Sequence, residues 1–344
     1  TCRYCQNWGI SKATRDDPRN QGLDLLCEEK LHVEEFSDTK TSRGTPQNSA
    51  ILDDFTSTSR EFPYGEKAIQ NKDLVSCQSC QNWNISKARE FDKLQDQASP
   101  EQIADAALQT KCRSVAYTYN DPVIFLEYAV DTARACRERG IKNVAVTAGY
   151  ICPEPRQEFY QHIDAANIDL KAFTDEFYME LCSAHLDEVL ETLKYLKHET
   201  DVWFEITTLL IPGENDSDKE LNEECAWIME HLGPDVPLHF SAFHPDWKMT
   251  DKANTPSDTL HRARKIAREH GLRYVYLGNI HDYDGSSTYC HSCGEILIGR
   301  DWYELSTWSL TADGHCEKCG TACAGVFDGP AGTWGRKRQP VRMG

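Results

Sequence analysis

Four pairs of cysteines with the spacing Cys-x2-Cys are the residues of this chain best suited to metal chemistry. They are Cys2 and Cys5, Cys77 and Cys80, Cys290 and Cys293, and Cys316 and Cys319. Two thiolates separated by two residues can reach one metal ion or one edge of an iron–sulfur cluster, and an aromatic ring just beyond them keeps water from the sulfurs. The first two pairs lie in nearly identical surroundings. Cys77-Gln78-Ser79-Cys80-Gln81-Asn82-Trp83-Asn84-Ile85-Ser86-Lys87-Ala88 repeats Cys2-Arg3-Tyr4-Cys5-Gln6-Asn7-Trp8-Gly9-Ile10-Ser11-Lys12-Ala13 at an offset of 75, with three changes. Disulfides or buried thiols would leave that repeat unexplained.

The last two pairs are separated by 22 residues, and a glycine follows the second cysteine of each, Gly294 and Gly320. Glycine allows the tight knuckle in which backbone amides point at sulfur, so this spacing reads as a four-cysteine structural zinc site, with a rubredoxin-like iron as the competitor. Cys112, Cys136, Cys152, Cys182 and Cys225 stand singly and read as small buried hydrophobes. Cys323 is spare.

On these residues the chain resembles the radical SAM superfamily. Cys-x2-Cys-Gln-Asn-Trp-x-Ile-Ser is similar to the branch of the pyruvate formate-lyase-activating enzymes, and more narrowly to the radical SAM member of the AmmeMemoRadiSam system. The resemblance implies a [4Fe-4S] cluster on Cys-x3-Cys-x2-Cys, with one iron open to S-adenosylmethionine, and reductive cleavage to a 5'-deoxyadenosyl radical. The pattern is incomplete here. The leading cysteine of the first copy would fall before Thr1, which reads as a truncated start; the second copy has Asp73 in that place and Ser79 for the aromatic. The cluster ligands expected from the resemblance are therefore Cys2, Cys5, Cys77 and Cys80.

The elements that must position this chemistry follow from pattern. At 344 residues with a formal net charge of -18, the chain can bury a large core, and it lacks the basic face a nucleic-acid partner requires. Fifteen cysteines, with no signal peptide and no long apolar run, fit a reducing, cytoplasmic setting. Residues 1–13 carry the first motif, and 14–72 are polar, aperiodic and expected to be disordered. If residues 14–88 were removed, Ala13 would run into Arg89 without a break in the family-like sequence, which marks an insertion or an imperfect gene model. From Ser99, a capping residue before Pro100, helices alternate with strands at 114–119, 143–147, 166–171, 202–210, 238–243 and 274–277. Helices are expected at 100–110, 122–139, 155–162, 186–197, 218–231 and 257–270.

That alternation specifies parallel βα units, either an open doubly wound sheet or a barrel. No Gly-x-Gly-x-x-Gly turn follows the first strand, and the resemblance implies an α/β partial TIM barrel of about six βα units over 73–280. A zinc-ribbon-like module with a hairpin at 295–310 is expected over 286–328, and a flexible basic tail over 329–344.

The resemblance also carries site residues, all at strand ends. Tyr119, Asn120 and Asp121 resemble Tyr-Asn-Glu, where the family receives the methionine amino group. Thr147 stands in Thr-Ala-Gly-Tyr, similar to Thr-Asn-Gly-Tyr, and Asp169-Leu170-Lys171 matches the activating enzymes' Asp-Leu-Lys. Alternation turns Asp169 and Lys171 to one face. Glu205 and Thr207 lead into Ile211-Pro212-Gly213, a turn that approaches adenine and ribose in the family, and His244 is the catalytic candidate facing substrate. The partners implied are a flavodoxin- or ferredoxin-type electron donor and a protein substrate, either a glycyl-radical enzyme or companions of Memo and AMMECR type. No nucleic acid or membrane is expected. A second reading stays open at this point: a metal-binding scaffold whose cluster site has decayed and whose zinc is structural.

Overall fold

The computed structural model describes residues 24–25, 98–245, 249–301, 304–327 and 339–341. The expectations for 14–72 and for the basic tail meet the described residues where Asp24–Leu25 pairs antiparallel with Gln339–Pro340 and at Val341, which packs against the main core.

Six strands form one parallel sheet in sequential order. They are β1 (Ser114–Tyr117), β2 (Lys142–Thr147), β3 (Ala165–Asp169), β4 (Trp203–Leu210), β5 (Leu238–Ala242) and β6 (Val275–Gly278). The helices between them are α1 (Pro100–Gln109), ahead of β1, then α2 (Leu126–Glu138), α3 (Pro153–Tyr160), α4 (Leu186–Glu199), α5 (Asp218–His231) and α6 (Ser257–Glu269). Sequential order with a helix at every crossover is the winding of a barrel wall, not of a sheet that reverses direction, so the doubly wound alternative falls.

Local chemistry accounts for most boundaries. Ser99 caps α1, with a reciprocal bond from its own amide to Gln102, and Pro100 occupies the first turn. The helix expected at 122–139 is two pieces. Asp121 accepts from the Val123 amide and opens a tight 3-10 turn, Pro122–Phe125, before the α-helical geometry begins at Leu126. The helix expected at 155–162 starts earlier, because Pro153 and Pro155 both fit its first turn. A short α turn, Asp175–Phe177, and a π turn, Tyr178–Cys182, follow β3 and were not legible as a periodic pattern.

Alternation sorts the strands into two faces. Ile168, Phe204, Ile206, Thr208, Leu210, Leu238, Phe240, Val275 and Leu277 are buried beneath the helices. The opposite, concave face carries Asn167, Asp169, Glu205, Thr207, His239, Ser241, Tyr276 and Gly278. Each large apolar side chain on the helix side contributes about 1.5–3 kcal/mol through burial.

One polar pair departs from that apolar layer. Thr208 Oγ1 donates to Glu224 Oε1 on α5 at 2.6 Å, and burial pushes the Glu224 carboxyl up to about 8. One turn earlier on α5, burial also raises Glu220, which accepts from the Phe173 amide at 2.7 Å. Free glutamate loses its proton near 4.5, so between about pH 4.5 and 8 the unfolded chain binds fewer protons than the folded one. Stability therefore falls as pH rises through that window, by about 1.4 kcal/mol per pH unit from Glu224, and levels off above it. Glu224→Gln removes this term, so its stability advantage over the parent is expected to widen from pH 5 to pH 8. Urea midpoints at three pH values check this, and parallel slopes for the two proteins would contradict it.

The C-terminal module is a three-stranded antiparallel sheet of β7 (Thr288–Tyr289), β8 (Ile296–Asp301) and β9 (Glu304–Trp308). The expected hairpin is β8–β9, and the added strand is β7. Tyr274, Leu297, Ile298, Leu310 and three cysteines form its own small buried cluster.

Candidate functional site

The carboxyl ends of the strands gather most of the polar residues expected there, in two environments. Lys171 Nζ lies 2.8 Å from Asp169 Oδ2, and the pair is mostly shielded, with 11% and 22% of the side chains exposed. Backbone bonds fix the pair. Lys171 N–H donates to the Tyr178 hydroxyl at 3.0 Å, and Asn215 Nδ2 donates to Lys171 O and to Leu209 O at 2.7 and 2.9 Å. Asn215 Oδ1 also accepts from the Ile211 amide at 2.7 Å. One buried asparagine thus clamps the end of β3 to the end of β4 through three groups that no water reaches. Asn215 was not singled out from sequence, although it lies two positions beyond the Ile211-Pro212-Gly213 turn that was.

Asp121 and Thr147 are brought together on the other side. Thr147 pairs in register with helix-facing Ile168, its hydroxyl donates to Asp121 Oδ1 at 2.8 Å, and the Ala148 amide donates to Oδ2 at 2.8 Å. With the Val123 amide, three donors converge on this one carboxylate. Burial raises the Asp121 carboxyl and Asp169 adds to the rise, while the three donors oppose it. Asp121 is thus a strut from the end of β1 to the end of β2. Tyr119 and Asn120 precede it and are half-buried, with Tyr119 at φ +70°, a left-handed conformation rare outside glycine. His244 is half-buried in the segment after β5.

Glu205 and Thr207 face the concave side of β4. Thr207 Oγ1 accepts from Asn167 Nδ2 at 2.9 Å, and Glu205 Oε2 lies 2.6 Å from His239 Nε2. Burial works to raise the Glu205 carboxyl, but the His239 imidazole and more distant Arg300 guanidinium outweigh it and hold it below the usual range. His239, Tyr276 and Arg300 have no local signature. The register of β4, β5 and β6 brings His239 and Tyr276 beside Glu205, and the C-terminal module brings Arg300 over the Tyr276 ring.

Cys2, Cys5, Cys77 and Cys80 lie outside the described residues. Among the described residues, one set of cysteines converges: the Sγ atoms of Cys290, Cys293, Cys316 and Cys319 all lie within 4.8 Å of one another. The Cys290–Cys319 and Cys293–Cys316 sulfurs are 3.5 and 3.8 Å apart. Four thiolates about 2.3 Å from one tetrahedral ion stand about 3.8 Å from each other, so the donors fit such an ion. Two knuckles shape the site. Gly294 and Gly320 take φ +73° and +74°, and their amides donate to Cys290 O and Cys316 O at 2.9 and 2.8 Å. The Thr321 hydroxyl and amide pull the Cys319 thiol down to about 6. Of the single cysteines, Cys112, Cys136, Cys182 and Cys225 are buried as expected, and burial pushes Cys136 up to about 12. Cys152 is exposed, because it sits at the N-terminal cap of α3 and not within its apolar face.

The family model of the radical SAM superfamily matches residues 74–225, a span that includes the second cysteine motif and the strand ends through β4. An uncharacterised protein of Methanocaldococcus jannaschii is 40% identical over 245 residues, covering 71% of this chain and 72% of that protein. Pyruvate formate-lyase 1-activating enzyme of Escherichia coli K12 is 22% identical over 169 residues, covering 45% of this chain and 68% of the enzyme. A solved domain of pyruvate-formate lyase-activating enzyme from Bacteroides vulgatus is 18% identical, covering 48% of this chain and 99% of the domain, with a TM-score of 0.43. No helix among the described residues is long and apolar enough to cross a membrane. With a parallel barrel wall, the Asp-Leu-Lys strand end and that 40% identity in agreement, the chain belongs to the radical SAM superfamily.

Proposed function

We propose that the chain binds S-adenosylmethionine across the carboxyl ends of β1–β4, splits it reductively, and directs the 5'-deoxyadenosyl radical at a substrate held on the concave face. When bound, a [4Fe-4S] cluster supplies the electron that divides S-adenosylmethionine into methionine and that radical. The resemblance assigns such a cluster to the thiolates of the repeated motif, and Cys77 and Cys80 are the pair inside the matched span. The observation that carries the reading is the Asp169–Lys171 pair, shielded and rigidly clamped at the end of β3. A methionine moiety presents one carboxylate and one ammonium, and a fixed lysine and aspartate 2.8 Å apart offer the complementary charges.

The remaining residues bind and orient. Thr207, braced by Asn167, offers a hydroxyl on the adjoining strand, and Tyr119 and Asn120 close the β1 side. His244 stands toward substrate beyond β5. The similarity to activating enzymes supports a protein substrate and a flavodoxin- or ferredoxin-type electron donor, in a cytoplasmic setting. A zinc ion in the four-cysteine site supports the C-terminal module.

Anaerobic incubation of the iron- and sulfide-reconstituted chain with dithionite and S-adenosylmethionine tests the proposal. It should release 5'-deoxyadenosine, and Asp169→Asn or Lys171→Met should slow release about 10- to 100-fold, the loss of one or two charge-assisted hydrogen bonds. No release from a chain that holds zinc alone would favour the decayed scaffold.

A further inference from the structure

The concave face carries a second polar group that the cofactor reading does not use. Register places Asp169, Thr207, His239 and Tyr276 side by side in one row across β3, β4, β5 and β6. At about 4.8 Å per strand, His239 stands about 10 Å from Asp169 at the same depth in the barrel. Its Nε2 is held 2.6 Å from Glu205 Oε2, and its ring stacks on Tyr276 with centroids 4.9 Å apart. The Tyr276 hydroxyl is in turn fixed to Thr288 Oγ1 at 2.9 Å.

β6 is the edge of the sheet, and the row continues past it onto the C-terminal module. Arg300 of β8 lies over the Tyr276 ring, its guanidinium carbon 5.6 Å from the centroid, and its Nη1 donates to Thr288 Oγ1 at 2.6 Å. Thus the module that holds the four cysteines also supplies the last member of the row.

Two facts separate this from a structural histidine. The side chains of His239 and Glu205 remain 28% and 37% exposed although they stand on interior strands of the sheet. Ionised Glu205 can only accept, so Nε2 carries the proton of the neutral ring, and Nδ1 keeps its lone pair with no protein partner among the described residues.

We propose that His239 is a catalytic base on the concave face, held by Glu205 with Tyr276 and Arg300 behind it, and that it accepts a proton from a hydroxyl or ammonium group of the substrate. This rests on the radical SAM reading. Hydrogen-atom abstraction gives 5'-deoxyadenosine and a carbon radical, and an O–H or N–H beside such a radical is more acidic than in the parent. The proton passes to Nδ1, the electron pair of the broken bond stays on oxygen or nitrogen, and imidazolium forms against the Glu205 carboxylate. No electron is gained or lost in that step. The substrate class is thus a molecule or protein side chain with a hydroxyl or amine next to the abstracted C–H. The groups that face the ring are Glu205 on β4, Tyr276 on β6, and Arg300 beyond Tyr276.

Acylation of histidines by diethyl pyrocarbonate in the intact chain, located by peptide mass spectrometry across pH 5–8, tests this without S-adenosylmethionine or a cluster. His239 should be acylated, and Glu205→Gln, which removes the carboxylate that orients the ring, should change the rate of its reaction several-fold while that of exposed His261 is unchanged. An unreactive His239 beside a reactive His261, or a His239 rate indifferent to Glu205→Gln, would overturn the proposal and leave the cofactor reading standing.

Discussion

Replacing Cys316 with serine is expected to abolish metal binding at the four-cysteine site and to unfold the C-terminal module while the barrel stays folded. Cys316 is 1% exposed, with its sulfur 3.8 Å from that of Cys293. The apolar cluster around it is a handful of side chains, among them Leu297, Ile298, Leu310 and Trp308. A core that small does not hold a fold alone, and structural zinc in small domains contributes on the order of 10 kcal/mol. The barrel buries a much larger set of side chains on its own. Calorimetry should therefore show the barrel transition retained and the module's share of the unfolding enthalpy missing, and elemental analysis should show the zinc lost. An unchanged melting profile in a protein without zinc would contradict the assignment. Because Arg300 rides on β8, the same variant should alter the acylation of His239, although the two sites share no residue.

The second large effect concerns Asp121. Asp121→Ala strands the Thr147 hydroxyl and the Ala148 and Val123 amides, and each buried donor without an acceptor costs about 1–3 kcal/mol. A total of about 3 kcal/mol corresponds to a melting temperature lowered by roughly 10 °C in a domain of this size. Asp121→Asn should fall between, since one amide oxygen can serve only part of the donor set. The carboxylate is matched by donors from its own chain, so loss of stability should accompany any loss of S-adenosylmethionine binding. Weakened binding at an unaltered melting temperature would instead mean that this carboxylate chiefly holds the methionine ammonium.

The two cases show what was readable beforehand. The cysteine knuckles were legible because four residues and a glycine encode each one locally. The barrel was legible because strands buried on one face and helices with one apolar stripe each repeat at their own period. Asp121 was legible as a residue at a strand end, but not as a strut, since two of its donors come from the next strand. His239 could not be found at all from local sequence. It reads as one polar residue in a short strand, and its meaning comes from Glu205, 34 positions earlier, and Arg300, 61 positions later, in different βα units and modules. Helix edges at 122–126 and 153 were displaced by Asp121 capping and by prolines, which act within a single turn.

Electron paramagnetic resonance of the anaerobically reconstituted, dithionite-reduced chain, with and without S-adenosylmethionine, tests the central claim most directly. About four irons and four sulfides per chain beyond any zinc are expected, with a reduced-cluster signal and a change in that signal when S-adenosylmethionine is added. A chain that retains zinc yet binds no iron, or whose iron signal ignores S-adenosylmethionine, would contradict it.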